Sequence, residues 1–189
     1  MAVRARERLL DTAEELFYAE GIHAVGIERI LSESEVGRAS FYRHFESKDA
    51  LVVAVLAGRD ERWRAWLRAT IDGYALPPED RPLAVFDALA ERFARADFRG
   101  CAFINTMVEA ADRSSAAHQV AAGHKEALTA YVDGLLADAG RPDHEVLAKQ
   151  FQLLIDGSLV TALREGTPDA ALRARGIAAA LLAVPALAD

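Results

Sequence analysis

Residues 27–51 read IERILSESEVGRASFYRHFESKDAL, and this stretch decides the fold. Ile27, Ile30 and Leu31 recur at the spacing of one helix face, which predicts a short helix ending near Ser34. Val36 falls in the turn that follows. A third helix begins at about Arg38, with Phe41 and Phe45 as an i, i+4 apolar pair. Ser47 is a good N-cap for the next helix, and Asp49 in that helix's first turn complements its dipole. Two short helices around a tight turn, followed by a longer helix, are the layout of a helix-turn-helix. If Phe41 and Phe45 point inward, then Arg38, Ser40, Tyr42, Arg43 and His44 lie nearer the outer surface.

Moving outward, residues 5–20 carry Leu9, Ala13, Leu16 and Phe17 on one face of an amphipathic helix that Gly21 stops. The three helices can close a small core of their own. After Ser47 the fourth helix looks long, running to about Asp72 with Trp63, Trp66 and Leu67 on its distal half. Pro77 and Pro78 mark a loop before a helix around Pro82 to Asp97. Helical segments follow from Cys101 to about Asp112 and from Ser115 to Ala139. Gly140 ends the second of these, and Pro142 opens another that runs to Glu165. Gly166, Thr167 and Pro168 read as stop, cap and restart for a final helix ending at Pro185. The expectation is an all-α chain of about nine helices, with no convincing strand, internal repeat or low-complexity linker.

Composition agrees. Apolar residues make up 52% of the 189-residue chain, enough for a substantial core. Cys101 is the single cysteine, which excludes an intramolecular disulfide and suggests a reducing compartment. The first ten residues lack an apolar core of signal-peptide length, and the run from Ile177 to Ala188 contains Pro185 and is too short to span a bilayer. A soluble cytoplasmic protein without membrane partners is the expectation.

The net charge is −7, and residues 1–50 hold seven Arg and Lys against ten Asp and Glu. Distribution is more informative than the sum. From Gly37 to Lys48, Arg38, Arg43 and Lys48 face only Glu46, and Arg4, Arg6 and Arg8 crowd the start of the chain. Two basic spots in an acidic protein suit a specific reader of DNA better than an indiscriminate coater. A helix fits the major groove, where Arg38 can fork onto a guanine and Ser40 can touch a base or a phosphate. Tyr42 offers a ring to the sugar edge and a hydroxyl to a phosphate oxygen, His44 is expected as a phosphate neighbour, and Arg43 is a further DNA-binding candidate. Lys48 at the start of the long helix adds an ammonium to free backbone N–H groups.

Residues 1–51 resemble the DNA-binding domain of the TetR family of bacterial one-component regulators. The similarity is carried by Phe17, Gly21, Ile30 and Val36, by the run Phe41-Tyr42-Arg43-His44-Phe45, and by Ser47-Lys48-Asp49-Ala50-Leu51. Gly100-Cys101-Ala102-Phe103-Ile104-Asn105 and Asp156-Gly157 are similar to one branch of the family's C-terminal domains. Three positions depart from the pattern. Glu35 stands where the family usually has Gly, which costs on the order of 1 kcal/mol if the backbone there needs positive φ. Gly26 and Gly37 stand where Ser or Thr often cap helices two and three, deleting hydroxyls that could touch phosphate.

The resemblance implies a helix-turn-helix domain over residues 1–50 and a ligand-binding and dimerisation domain over residues 51–189. It implies a homodimer joined by the last two helices, a pseudo-palindromic double-stranded operator, and a repressor that a small-molecule effector releases from DNA. The sequence supports the dimer separately: Val146, Gln150, Leu153, Leu154, Gly157 and Thr161 form a broad stripe on helix eight. The last helix is apolar on much of its circumference, with Leu172, Gly176, Ile177, Ala180 and Leu181. An intrachain core is the rival explanation for Gly157 and Gly176. The middle helices should enclose the effector, with Trp66, Phe86, Phe93, Phe103, Met107, Phe151 and Ile155 as apolar lining and Asn105, His124 and Gln152 as polar contacts. Each of these could equally be core. His118 and His124 are six apart and do not share a helix face, so no metal and no cofactor are expected. No catalytic residues are expected: Cys101 has no recognisable His or Asp partner, and no phosphate loop appears. An all-α small-molecule carrier or enzyme, and an activator of the same fold, are the alternatives.

Overall fold

A computed structural model describes residues 2–184, with side chains from Arg4 onward. Among the described residues there are nine helices and no strand. They are α1 (Ala2–Glu20), α2 (Ile27–Ser34), α3 (Arg38–His44), α4 (Lys48–Gly73), α5 (Arg81–Phe93), α6 (Ala102–Glu109), α7 (Ala116–Asp138), α8 (His144–Glu165) and α9 (Asp169–Ala183). The chain divides into two compact units: Met1–Arg62 with Ala102–His124, and Trp63–Cys101 with Lys125–Asp189. The expected boundary at residue 50 is therefore not where the compact units part. Instead α6 and the first part of α7 cluster with the N-terminal helices.

In the first unit, Leu9, Ala13, Leu16 and Phe17 of α1 are buried against Ile30 and Leu31 of α2, Phe41 of α3, and Leu51, Val52, Val55 and Leu56 of α4. Gly21 ends α1 at φ 95°, its N–H bonded to the Phe17 carbonyl. Specific polar contacts explain why α6 and α7 belong here. The Glu109 carboxylate accepts the His23 backbone N–H at 2.8 Å, and the His23 ring donates from Nε2 to the Glu109 carbonyl at 3.0 Å. On α7, His124 is 3% exposed; it stacks on Phe103 at 3.6 Å and donates from Nδ1 to Asp60 Oδ1 of α4 at 2.7 Å.

The second unit is built around α5, α8 and α9. Phe86 and Phe151 are fully buried with their rings 5.6 Å apart, and each such side chain contributes about 1.5–3 kcal/mol. The inner face of α9 is alanine throughout (Ala170, Ala171, Ala174, Ala178), which lets its backbone approach α5 and α8 closely. By length and composition α8 alone among the described helices could cross a bilayer; here Phe151, Ile155 and Leu159 are buried in the protein.

Helix boundaries shift from the sequence expectation by the usual few residues. α5 stops at Phe93 rather than Asp97, because the chain folds back to lay Phe98 against Phe93 at 4.8 Å. α6 ends at Glu109 rather than Asp112, whose carboxylate instead binds the backbone and hydroxyl of Ser114. α8 begins at His144, two residues after Pro142, and α9 begins one residue after Pro168, with Thr167 Oγ1 accepting the Asp169 N–H.

Candidate nucleic-acid interface

The interface is assembled from the turn upward. At the end of α2 the Val36 N–H bonds the Leu31 carbonyl and the Glu35 N–H bonds the Ser32 carbonyl, the paired arrangement that closes a helix through a left-handed residue. That residue is Glu35, at φ 52° and ψ 35°. The departure from glycine is thus a real conformational cost, on the order of 1 kcal/mol. Arg8 offsets part of it: its Nη2 donates to the Glu35 carbonyl at 3.1 Å while Nη1 lies 3.7 Å from the Glu35 carboxylate. Gly26 and Gly37 hold the N-cap positions in extended backbone and, lacking side chains, make no cap hydrogen bond.

The turn sets the orientation of α3. Phe41 is fully buried, and Phe45, 5% exposed, has left the helix: α3 ends at His44 and Phe45 is extended at φ −139°. The sequence placed Phe45 on the helix; the structure keeps it in the core from the next segment. Opposite Phe41, the side chains of Arg38, Ala39, Tyr42 and Arg43 are exposed, and Ser40 and His44 are half-buried at the flanks. Tyr42 is 48% exposed, its ring edge-on to Phe41 at 5.1 Å. Ala39, exposed on the same face, is not among the residues that the sequence singles out. Four residues before Arg43, it shares the outermost line of the helix, and a helical-wheel count from Phe41 locates it.

Two expected contacts change character. Lys48 donates from Nζ to the Ile22 carbonyl and lies 5.9 Å over the Phe17 ring, so its ammonium ties the α1–α2 loop to α4. The α4 N-terminus itself is capped as expected, with Ser47 Oγ accepting the Ala50 N–H at 3.1 Å. The N-terminal basic cluster is partly structural: Arg6 sits 5.6 Å over the Phe45 ring, and Arg8 serves the turn.

The residues expected around an effector divide between the units. Phe103, Asn105, Met107 and His124 belong to the first; Trp66, Phe86, Phe93, Phe151, Gln152 and Ile155 belong to the second. Phe86, Phe93, Phe151 and Ile155 are buried core, and Gln152 donates from Nε2 to Asp156 Oδ1 at 2.9 Å, where Lys125 also donates at 2.6 Å. In the first unit Asn105 lines a cavity of about 30 Å³ with Phe17, Tyr18, Val55, Arg59 and Glu109, room for a water molecule. By contrast, the residues expected at a dimer face are all left at the surface. Leu153, Gly157, Gly176, Ile177 and Ala180 are exposed and Leu154, Thr161 and Leu181 are half-buried, with exposed Val146, Val160 and Leu172 extending the stripe.

A short helix, a left-handed turn and a second helix with an exposed basic and aromatic face define a helix-turn-helix protein. Residues 9–55 match the family model described as "Bacterial regulatory proteins, tetR family". The structure is similar to a TetR-family transcriptional regulator from Streptomyces coelicolor, with 34% identity, a TM-score of 0.85, and coverage of 93% of this chain and 88% of that one. The chain belongs to the TetR family. It is also 30% identical over 110 residues to the HTH-type transcriptional repressor NemR of Escherichia coli, covering 58% of this chain and 55% of the relative. A similar match, 30% over 104 residues, is to the HTH-type transcriptional repressor DhaR of a Mycobacterium species, 55% of this chain and 51% of that protein. The chain thus spans about half the length of these two relatives in the alignments. The reduced form of Escherichia coli NemR has the same fold, with a TM-score of 0.85 at 22% identity.

Proposed function

We propose that this protein is a dimeric transcriptional repressor that reads a pseudo-palindromic operator with α3 of each copy and leaves it when a small molecule binds. The observation that carries the reading is the exposed face of Arg38, Ala39, Tyr42 and Arg43 on a helix anchored from behind by fully buried Phe41. Arg38 forks onto a guanine, Ala39 meets a thymine methyl, and Tyr42 and Arg43 reach sugar and phosphate. Ser40 and His44 flank that face toward the backbone. Lys48 acts by pinning the α1–α2 loop, and the phosphate contact expected of it passes to the backbone N–H groups of the α4 N-terminus.

Dimerisation through α8 and α9 is supported by five large apolar side chains left exposed on these two helices, Val146, Leu153 and Val160 with Leu172 and Ile177. Two-fold symmetry then sets the half-sites about one helical turn or more apart. The effector shifts the population toward a conformer in which the two α3 helices no longer match successive grooves. Within the first unit its contacts are drawn from the half-exposed candidates Asn105 and Met107 more than from buried Phe103, which already stacks on His124. The repressors NemR and DhaR among the relatives favour repression over activation.

A gel shift on the DNA upstream of the protein's own gene tests the reading. Salt-sensitive retardation by the wild type, lost in Tyr42→Ala/Arg43→Ala at unchanged melting temperature, is expected. Full retention of binding by the double variant would sink it.

A further inference from the structure

Arg38 has a partner on its own protein. Its Nη2 is ion-paired with Oε1 of Glu28, the two side chains being 60% and 71% exposed. Glu28 lies in the first turn of α2 and Arg38 is the first residue of α3, so the pair bridges the N-termini of the two helices. The other ion-paired carboxylates described on α1, α2 and the turn serve different arginines: Glu20 and Glu33 hold Arg29, Glu35 holds Arg8, and Glu14 holds Arg59 and Arg62. Glu28 is the one that engages the reading face. A carboxylate beside a surface that meets phosphates works against affinity, because every phosphate contact depends on positive charge.

We propose that Glu28 is a positioning residue for base recognition, holding the Arg38 guanidinium so that its remaining two-donor edge faces a guanine. The proposal rests on the reading that α3 enters the major groove. Guanidinium geometry allows it. The Glu28 carboxylate lies against Nη2 alone, and whichever of the two Nη2 hydrogens it faces, either the Nε/Nη2 edge or the Nη1/Nη2 edge keeps both of its hydrogens for another acceptor. That edge matches O6 and N7 of guanine. A long arginine otherwise loses rotamer freedom when it docks, and the pair removes part of that freedom beforehand. Without the carboxylate the guanidinium is free to turn toward the nearest phosphate, which carries no sequence information. The pair adds little in open water, but its attraction strengthens where docking displaces solvent. Glu28 therefore exchanges affinity for selectivity.

The test uses the full-length protein and duplexes selected by it from a randomised library. Binding of wild type, Glu28→Gln, Glu28→Asp and Arg38→Ala is measured on the selected operator and on its variants at the base that Arg38 specifies. Glu28→Gln is expected to melt with the wild type, to bind unrelated duplex at least as tightly, and to steepen the salt slope by about one. Its preference for guanine at that base should fall about tenfold, with Glu28→Asp retaining more of it. Adding Glu28→Gln to Arg38→Ala should cost no further base preference, since the two act as one unit. Undiminished guanine preference in Glu28→Gln, while Arg38→Ala loses it, overturns the role of Glu28 and leaves the DNA-reading helix standing. Unchanged base preference in Arg38→Ala overturns both.

Discussion

Glu35 shows how much a single residue can reveal. Its left-handed backbone at φ 52° is forced by the hydrogen bonds that close α2, so a glycine there should relieve strain. Glu35→Gly is expected to raise stability by about 0.5–1 kcal/mol, the greater freedom of glycine in the unfolded chain cancelling part of the gain. Thermal unfolding measures it; a lower melting temperature would show that the Arg8 contacts outweigh the strain. Tyr42 makes the opposite case. Because the side chain is 48% exposed, Tyr42→Phe should leave melting unchanged and weaken operator binding by removing one phosphate hydrogen bond. The departure at Glu35 was legible in the sequence, since the family pattern has glycine there. The ties of Lys48 and Arg38 were not: they depend on carbonyls and carboxylates 26 and ten positions away, which no local spacing encodes.

At the scale of elements, the regular apolar faces of α1 and α2, and the caps, glycines and prolines that punctuate the rest, located the nine described helices. Helix ends escaped it where tertiary contacts set them, as Phe98 does for α5. The assignment of aromatics to an effector site was equally beyond reach, since Phe86 and Phe151 satisfy the same pattern by packing on each other. The contacts between α7, α8 and α9 carry a pH signature. His144 donates to Asp133, a bond that raises its pKa above the ordinary 6.5, whereas Arg173 and Arg164 hold Glu165 below its ordinary 4.5. The histidine contribution is full below pH 6.5 and fades as pH rises through the elevated folded value; that of Glu165 is full above pH 4.5 and fades as pH falls. Both are present together between these limits. In melting curves across pH, His144→Ala should lose the wild type's decline on the alkaline side of that window. On the outer face of α8, Leu153→Glu is expected to convert dimer to monomer at unchanged helix content, as read by sedimentation velocity; a persisting dimer would place the interface elsewhere.

For the whole molecule, the chain's order and its compact units disagree. The reader helices share a unit with α6 and the first part of α7 through Glu109, His23, Asp60, Phe103 and His124. A fragment ending at Arg62 should therefore melt well below the full chain with a broadened transition, because it lacks the partners of the His23 loop and of Asp60. Circular dichroism decides this, and a fragment as stable as the parent would restore residue 50 as a working boundary. The exposed stripe on α8 and α9 has a consequence of another kind. If only paired copies span both half-sites, then below the dissociation constant of the pair, operator occupancy rises with the square of protein concentration. A modest change in expression or dilution at cell division would then move the gene it governs by considerably more than the change itself.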